Sequence, residues 1–229
     1  YFIISDGKEY KSFQTAQDHK RVGEGDTGPN TGGMGSYSPS RLNNKNLEAK
    51  INKKIIEPTL AGLKKLNTEY VGFLYVGLMI SNNEPYLIEF NVRMGDPECQ
   101  TILPLLKSDL GEIILSCCNQ SLSSQKIEWL NKKSLCIVLC SDGYPGEYKK
   151  KVIIKNTDNL NLQEGQYLIH AGTKYIDKDL YSYGGRVLNI VVTSNTFENS
   201  RKKALEILDK INWRNGFYRK DIGYNVINT

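Results

Sequence analysis

Gly72 to Ile80 reads GFLYVGLMI, an almost unbroken apolar run. That pattern predicts a strand buried on both faces. Ser81-Asn82-Asn83-Glu84 turns the chain, and Pro85-Tyr86-Leu87-Ile88 carries it back, so the two segments form a hairpin. The returning strand runs into Glu89 to Glu98, EFNVRMGDPE. Side chains alternate along a strand, which sets Tyr86, Ile88 and Phe90 on one face and Leu87, Glu89, Asn91 and Arg93 on the other. A carboxylate, an amide oxygen and a guanidinium thus share a face of a strand that otherwise reads as buried. Mg²⁺ is a hard cation that takes one or two oxygen ligands from protein and fills the rest with phosphate and water. Glu89 and Asn91 suit it, and Arg93 suits a phosphate or carboxylate beside it. The plainer alternative is the wetted side of a half-buried strand. Gly95-Asp96-Pro97-Glu98 weighs against that alternative, because it adds two carboxylates where the strand ends and a helix begins.

The composition is that of an ordinary soluble globular chain, with 39% hydrophobic and 24% charged residues in 229, enough for one large domain or two small ones. The net charge of +5 is mild, Lys149, Lys150 and Lys151 supply part of it, and no basic-aromatic array accompanies it, so no nucleic-acid partner is expected. No apolar run reaches membrane-spanning length and no signal peptide is visible, so no membrane partner is expected either. The five cysteines are odd in number and contain no Cys-x-x-Cys pair, which predicts small core residues in a reducing, cytoplasmic compartment. The chain starts at Tyr1 inside a strand pattern, without a methionine, and reads as the C-terminal part of a longer protein.

Tyr1 to Ile4 and Tyr10 to Phe13 predict strands joined at Asp6-Gly7. Gly23 to Gly35, GEGDTGPNTGGMG, has six glycines in thirteen residues, which argues against helix or regular strand and allows backbone N–H groups close to an anion. It fits neither the Walker A nor the dinucleotide pattern. His19, Lys20 and Arg21 just before it tip the reading from flexible loop toward anion handling. Asn46 to Leu66 predicts a helix kinked or broken at Pro58. Thr101 to Cys118 predicts a helix broken near Pro104. Ser-rich Gln120 to Gln125 is the best linker, giving domains 1–124 and 125–229. The second is β-rich: strands at Leu135 to Leu139, Val152 to Ile154, Tyr167 to His170 and Arg186 to Thr193 precede a helix capped by Thr196 and running to Ile211.

Several segments together resemble one family. Asp18 to Gly23 with Gly25 to Gly35, Glu89 to Glu98, Lys107-Ser108-Asp109-Leu110, Gly143-Tyr144-Pro145-Gly146, His170-Ala171-Gly172-Thr173-Lys174, Gly184 to Leu188 and Phe217 to Gly223 match, in order, the phosphoribosylamine–glycine ligases. The resemblance spans nearly the whole chain. It implies an α+β fold: the C-terminal lobe of an ATP-grasp domain, with a mixed or antiparallel sheet and helices, followed by a small β-rich C-terminal domain. It implies a ligase that joins glycine to 5-phosphoribosylamine at the expense of ATP, through glycyl phosphate, in purine biosynthesis. Mg²⁺ or Mn²⁺ would be held by Glu89 and Asn91. Arg93, Lys20 and His19 would be catalytic. Arg21, Asp26, Asn30, Thr31, Gly32, Gly33, Asp96, Pro97, Glu98 and Arg186 would contact substrate or phosphate. The partners implied are small molecules, with the subunit a monomer or homodimer. The family's segments for adenine and most of phosphoribosylamine are missing here, so this chain alone is expected not to turn over. Rival readings are another ATP-grasp carboxylate–amine ligase or carboxylase, a non-catalytic nucleotide-binding module, and a hydrolase using Asp96 and Glu98. The last pair is poorly placed, two residues apart on a tight turn, to flank a scissile bond.

Overall fold

The computed structural model of the chain describes residues 1–227. It is α+β, with antiparallel strand pairs and a few helices. It divides into two compact units that interleave along the chain. One comprises Tyr1–Thr15, Pro39–Gly95 and Leu106–Leu130, and the other Ala16–Ser38, Asp96–Leu105 and the chain from Asn131 onward. This differs from a linear division after residue 124. The reason is strand pairing: Gly35–Ser38 pairs with Lys133–Ser141, which draws an early segment into the later unit.

In the first unit a four-stranded sheet runs in the order Tyr10–Ser12, Phe2–Asp6, Val71–Ser81, Glu84–Asn91. Leu74, Val76 and Ile3 are buried beneath Leu47, Ile51, Ile55 and Ile56 of a helical segment, forming that unit's core. The helix starts at Lys45, where the Asn44 side chain accepts the Leu47 N–H at 2.9 Å. It breaks at Asn52–Ile56, a π turn, and resumes as Glu57–Lys65. Proline has no N–H to continue the ladder, so the break falls just ahead of Pro58. There the Glu57 N–H reaches back to Asn52 O and the Thr59 hydroxyl donates to Ile55 O at 2.6 Å. Val71–Ser81 is less buried than its sequence implies: Leu74 and Val76 are covered, but Met79 is exposed. The edge strand Glu84–Asn91 likewise shows Tyr86, Leu87, Ile88 and Phe90 to solvent.

The second unit is built on a six-stranded sheet. Its central strands, Lys133–Ser141 and Arg186–Ser194, are buried over almost their whole length, the pattern of a strand covered on both faces. The helix Phe197–Leu208 lies on this sheet through Ala204, Ile207 and Leu208, and Thr196 caps it by accepting the Asn199 N–H at 3.2 Å. The expected Thr101 to Cys118 helix is two helices, Glu98–Ile102 in this unit and Leu110–Cys118 in the first, with a 3-10 turn at Leu103–Leu105. No helix among the described residues is long and apolar enough to cross a membrane. All five cysteines are free; Cys117, Cys136 and Cys140 are buried, Cys99 is half-buried and Cys118 is exposed.

Candidate active site

Glu89 and Asn91 lie on the edge strand of the first unit, where Asn91 pairs with Tyr75 and Glu89 with Gly77. The next pair is Leu78 with Leu87, so Ile88 is the extra residue of a β-bulge. This corrects the simple alternation. The bulge returns Tyr86 to the Glu89 and Asn91 face and puts Leu87 on the Phe90 face. Gly77 is what makes room for the carboxylate: a Cβ there would lie 2.9 Å from Glu89 Cγ. Two oxygen donors two residues apart on one strand, one of them opposite a glycine, fit a hard divalent cation that needs only two protein ligands. No group of three or more His, Cys, Asp or Glu able to hold a metal occurs among the described residues. Arg93 is exposed at the strand's end, its Nη1 donating to Met94 O at 2.9 Å.

The remaining candidates belong to the second unit. The glycine-rich stretch contains regular structure after all, since Arg21–Gly23 and Thr27–Asn30 form a small hairpin. Gly25 and Asp26, both at positive φ, form its turn. The stretch beyond it is tightly bonded. The Thr31 N–H donates to Lys20 O (2.7 Å), the Gly32 N–H to the Tyr144 hydroxyl (2.9 Å) and the Gly33 N–H to Thr31 Oγ1 (2.9 Å). These N–H groups are therefore engaged within the unit. Arg186 is a further candidate for anion contact. Its Nη1 donates to Gly32 O, Asp96 O and Asp96 Oδ1 at 2.8–2.9 Å, tying the glycine stretch to the Asp96-Pro97 turn. Pro97 O accepts from Ser36 and Thr101 hydroxyls, each at 3.1 Å. Arg21 is exposed and donates to Gly28 O at 2.7 Å; Asn30, also exposed, ends the hairpin opposite it.

Asp18 is the functional candidate that sequence reasoning passed over. Its side chain is only 8% exposed, with Lys20 Nζ 2.7 Å from Oδ2. Oδ1 has no hydrogen-bond partner and faces Gly33, whose φ of +119° and lack of a side chain let the two approach. Burial, and next the charge of the buried Glu98, push the Asp18 carboxyl up to about 7 against the pull of Lys20. Two buried carboxylates beside a lysine and an arginine can bind a group carrying both charges. The signal was present, as an acid directly before His-Lys-Arg, but its burial depends on residues far along the chain.

His19 is buried, and its ring is engaged. Nε2 accepts the Gly223 N–H at 3.0 Å, and Nδ1 is 3.5 Å from Asp26 Oδ1. Burial, and then the charge of Arg219, hold its pKa below the usual histidine value. Both ring nitrogens thus face groups of the chain, which ties His19 to the hairpin turn and to Gly223. Asp26 is likewise bound to Arg219 Nη1 (2.7 Å) and the Tyr224 hydroxyl (2.9 Å).

Residues 1–99 match the family model of the phosphoribosylglycinamide synthetase ATP-grasp (A) domain, and residues 134–225 match that of the same enzyme's C domain. A phosphoribosylamine–glycine ligase of Vigna unguiculata is 40% identical over 221 residues, covering 95% of this chain and 71% of that protein. The chain belongs to the phosphoribosylamine–glycine ligase family. The ligase of Agrobacterium fabrum is 44% identical over 227 residues, which are 99% of this chain and 53% of that protein. The chain thus spans about half the length of the bacterial family members it matches. The crystal structure of the Thermotoga maritima ligase superposes with a TM-score of 0.85 at 33% identity, over 96% of this chain and 54% of that one. Kluyveromyces lactis urea amidolyase shares the fold at 14% identity, with a TM-score of 0.64.

Proposed function

We propose that the protein to which this chain belongs ligates glycine to 5-phosphoribosylamine with ATP, giving glycinamide ribonucleotide, ADP and phosphate. The observation that supports the reading is the placement of Glu89 opposite Gly77 with Asn91 two residues along the same strand, in a chain whose relatives bear that activity as their name. A carboxylate is a poor electrophile, so glycine first takes the terminal phosphoryl group of ATP as an acyl phosphate. The amine of phosphoribosylamine then displaces phosphate. Such transfers ask a protein for positioning and charge neutralisation. Glu89 and Asn91 would hold Mg²⁺ or Mn²⁺, which when bound supplies positive charge to the ATP phosphates. Arg93 would neutralise charge on the transferring phosphoryl group. Lys20 and Arg186 would orient anionic oxygens, and the buried Asp18 and Glu98 would receive the ammonium group of glycine. All substrates are small molecules, and a cytoplasmic setting suits the free thiols. The chain by itself is expected to be inactive.

In the full-length protein, Glu89→Gln keeps shape but removes the charge. Glycine-dependent ADP formation should fall by at least about 100-fold, Mn²⁺ affinity should drop, and circular dichroism should be unchanged. Near-normal turnover with normal Mn²⁺ binding would remove Glu89 from the metal site.

A further inference from the structure

Arg219 is one of the least exposed residues of the second unit, at 1% relative accessibility, and it is the largest of the fully buried side chains. A buried guanidinium persists only when its donors are matched. Here Nε and Nη2 form a two-point pair with Asp221 at 2.8 and 2.7 Å. Nη1 donates to Asp26 Oδ1 at 2.7 Å and to Arg21 O at 3.0 Å. Asp221 reaches onward to the Gly25 N–H at 2.8 Å, and Glu24 accepts the Lys220 N–H at 3.0 Å. Tyr224 adds its bond to Asp26, and Gly223 its bond to His19. Burial opposes ionisation of Asp26 and Asp221, yet the Arg219 hydrogen bonds hold both carboxyls below the usual range. The tail segment from Arg219 to Tyr224 thus grips the first strand and the turn of the Arg21–Asn30 hairpin, nearly 200 residues away in sequence.

The grip is centred on one side chain. His19 and Arg21, on either side of Lys20, are each bonded to the tail, and the Lys20 carbonyl is bonded twice by Thr31. We propose that Arg219 is a positioning residue: its buried fork fixes the backbone around Lys20, so that the Lys20 ammonium is set for the anionic oxygens of the substrate. This rests on the reading of Lys20 given above. The fork is required because one guanidinium bridges the tail acid, the hairpin acid and the hairpin backbone, which a lysine cannot do at once.

The test uses the full-length protein and steady-state ADP formation with glycine, ATP and phosphoribosylamine. R219K keeps the buried charge and loses the fork. It is expected to lower kcat by about 10- to 100-fold, the scale of a 1 Å misplacement, while the KM for ATP stays within about twofold. K20A should lose activity on its own, and adding R219K to K20A should change kcat by less than about twofold. Factors that multiply in the double variant would overturn the inference alone, because Arg219 would then act independently of Lys20. Unchanged kcat in R219K overturns it as well. A fully active K20A overturns the assignment of Lys20 and the inference with it. Should R219K not fold, Y224F and D221N enter the same cycle with K20A, and multiplication there overturns the inference equally.

Discussion

Asp18 carries a titration that can be read without any substrate. Its carboxyl ionises near 3.8 in the unfolded chain and near 7 in the folded one. Between these values the folded state holds the extra proton, so the contribution of Asp18 to stability falls as pH rises through that window and stays low above it. His19 works in the opposite sense. Its folded pKa lies below the ordinary value of 6.5, so its protonation penalises the fold as pH drops beneath that value. Comparing Asp18→Asn with the parent at each pH isolates the first effect. The variant should melt higher than the parent at pH 8, with the difference shrinking as pH falls through the window and gone only below about pH 3.8; equal midpoints at pH 8 would mean that the buried carboxylate is not destabilising. Its KM for glycine in the full-length protein should rise as the charge for the ammonium group is lost. Gly77→Ala asks a different question. A methyl group 2.9 Å from Glu89 Cγ must displace that side chain. Stability should change by no more than about 1.5 kcal/mol, while Mn²⁺ affinity falls about tenfold. Undiminished Mn²⁺ binding would show that the gap over Gly77 is not used.

Among the elements, those governed by local chemistry were legible and those governed by partners were not. The helix Phe197–Leu208 announced itself through the Thr196 cap and the spacing of Phe197, Ala204 and Leu208, and it forms with that cap in place. Thr196→Ala should cost about 1 kcal/mol, measured by urea unfolding, because the Asn199 N–H loses its acceptor. A loss below a few tenths of a kcal/mol would indicate that water replaces the hydroxyl. The break before Pro58 was legible for the same reason, since a missing N–H is a local property. The bulge at Ile88 was not. Nothing in PYLIEF says that two residues will oppose one; that count is set by the strand Val71–Ser81 across from it. The small hairpin within the glycine-rich stretch escaped notice too, because its turn is held by Arg219 and Asp221, far along the chain. The candidate residues read from the sequence form a chemical set, oxygen donors in one stretch and cations in another. Which groups are engaged and which are left for a ligand is a tertiary fact. That is why the engagement of His19 and of the glycine N–H groups, and the unpartnered Asp18 Oδ1, are seen only in the fold.

For the whole molecule, the interleaving of the two units has a consequence for folding. The second unit takes Ala16–Ser38 and Asp96–Leu105 from the first half of the chain. The pairing register runs Gly35 to Ile137, Ser36 to Cys136, Tyr37 to Leu135 and Ser38 to Ser134. Ser134 to Ile137 are all buried in the intact chain. A piece cut at residue 131 would leave that stretch as an open, largely apolar strand edge, the arrangement that drives edge-to-edge aggregation. It would also strand Arg219 without Asp26 and without the Arg21 carbonyl, leaving Asp221 to hold it alone. Losing one partner of a buried ion pair typically costs about 3–5 kcal/mol, a large share of the 5–15 kcal/mol that stabilises a domain. Residues 131–229 expressed alone should therefore show no cooperative thermal transition and should aggregate at micromolar concentration. Joining residues 16–38 ahead of them through a flexible linker should restore a cooperative transition, because both the strand pair and the Arg219 partners return together. A sharp, reversible melt from the 131–229 piece would mean that the later segment folds independently and that the early strand only docks onto it.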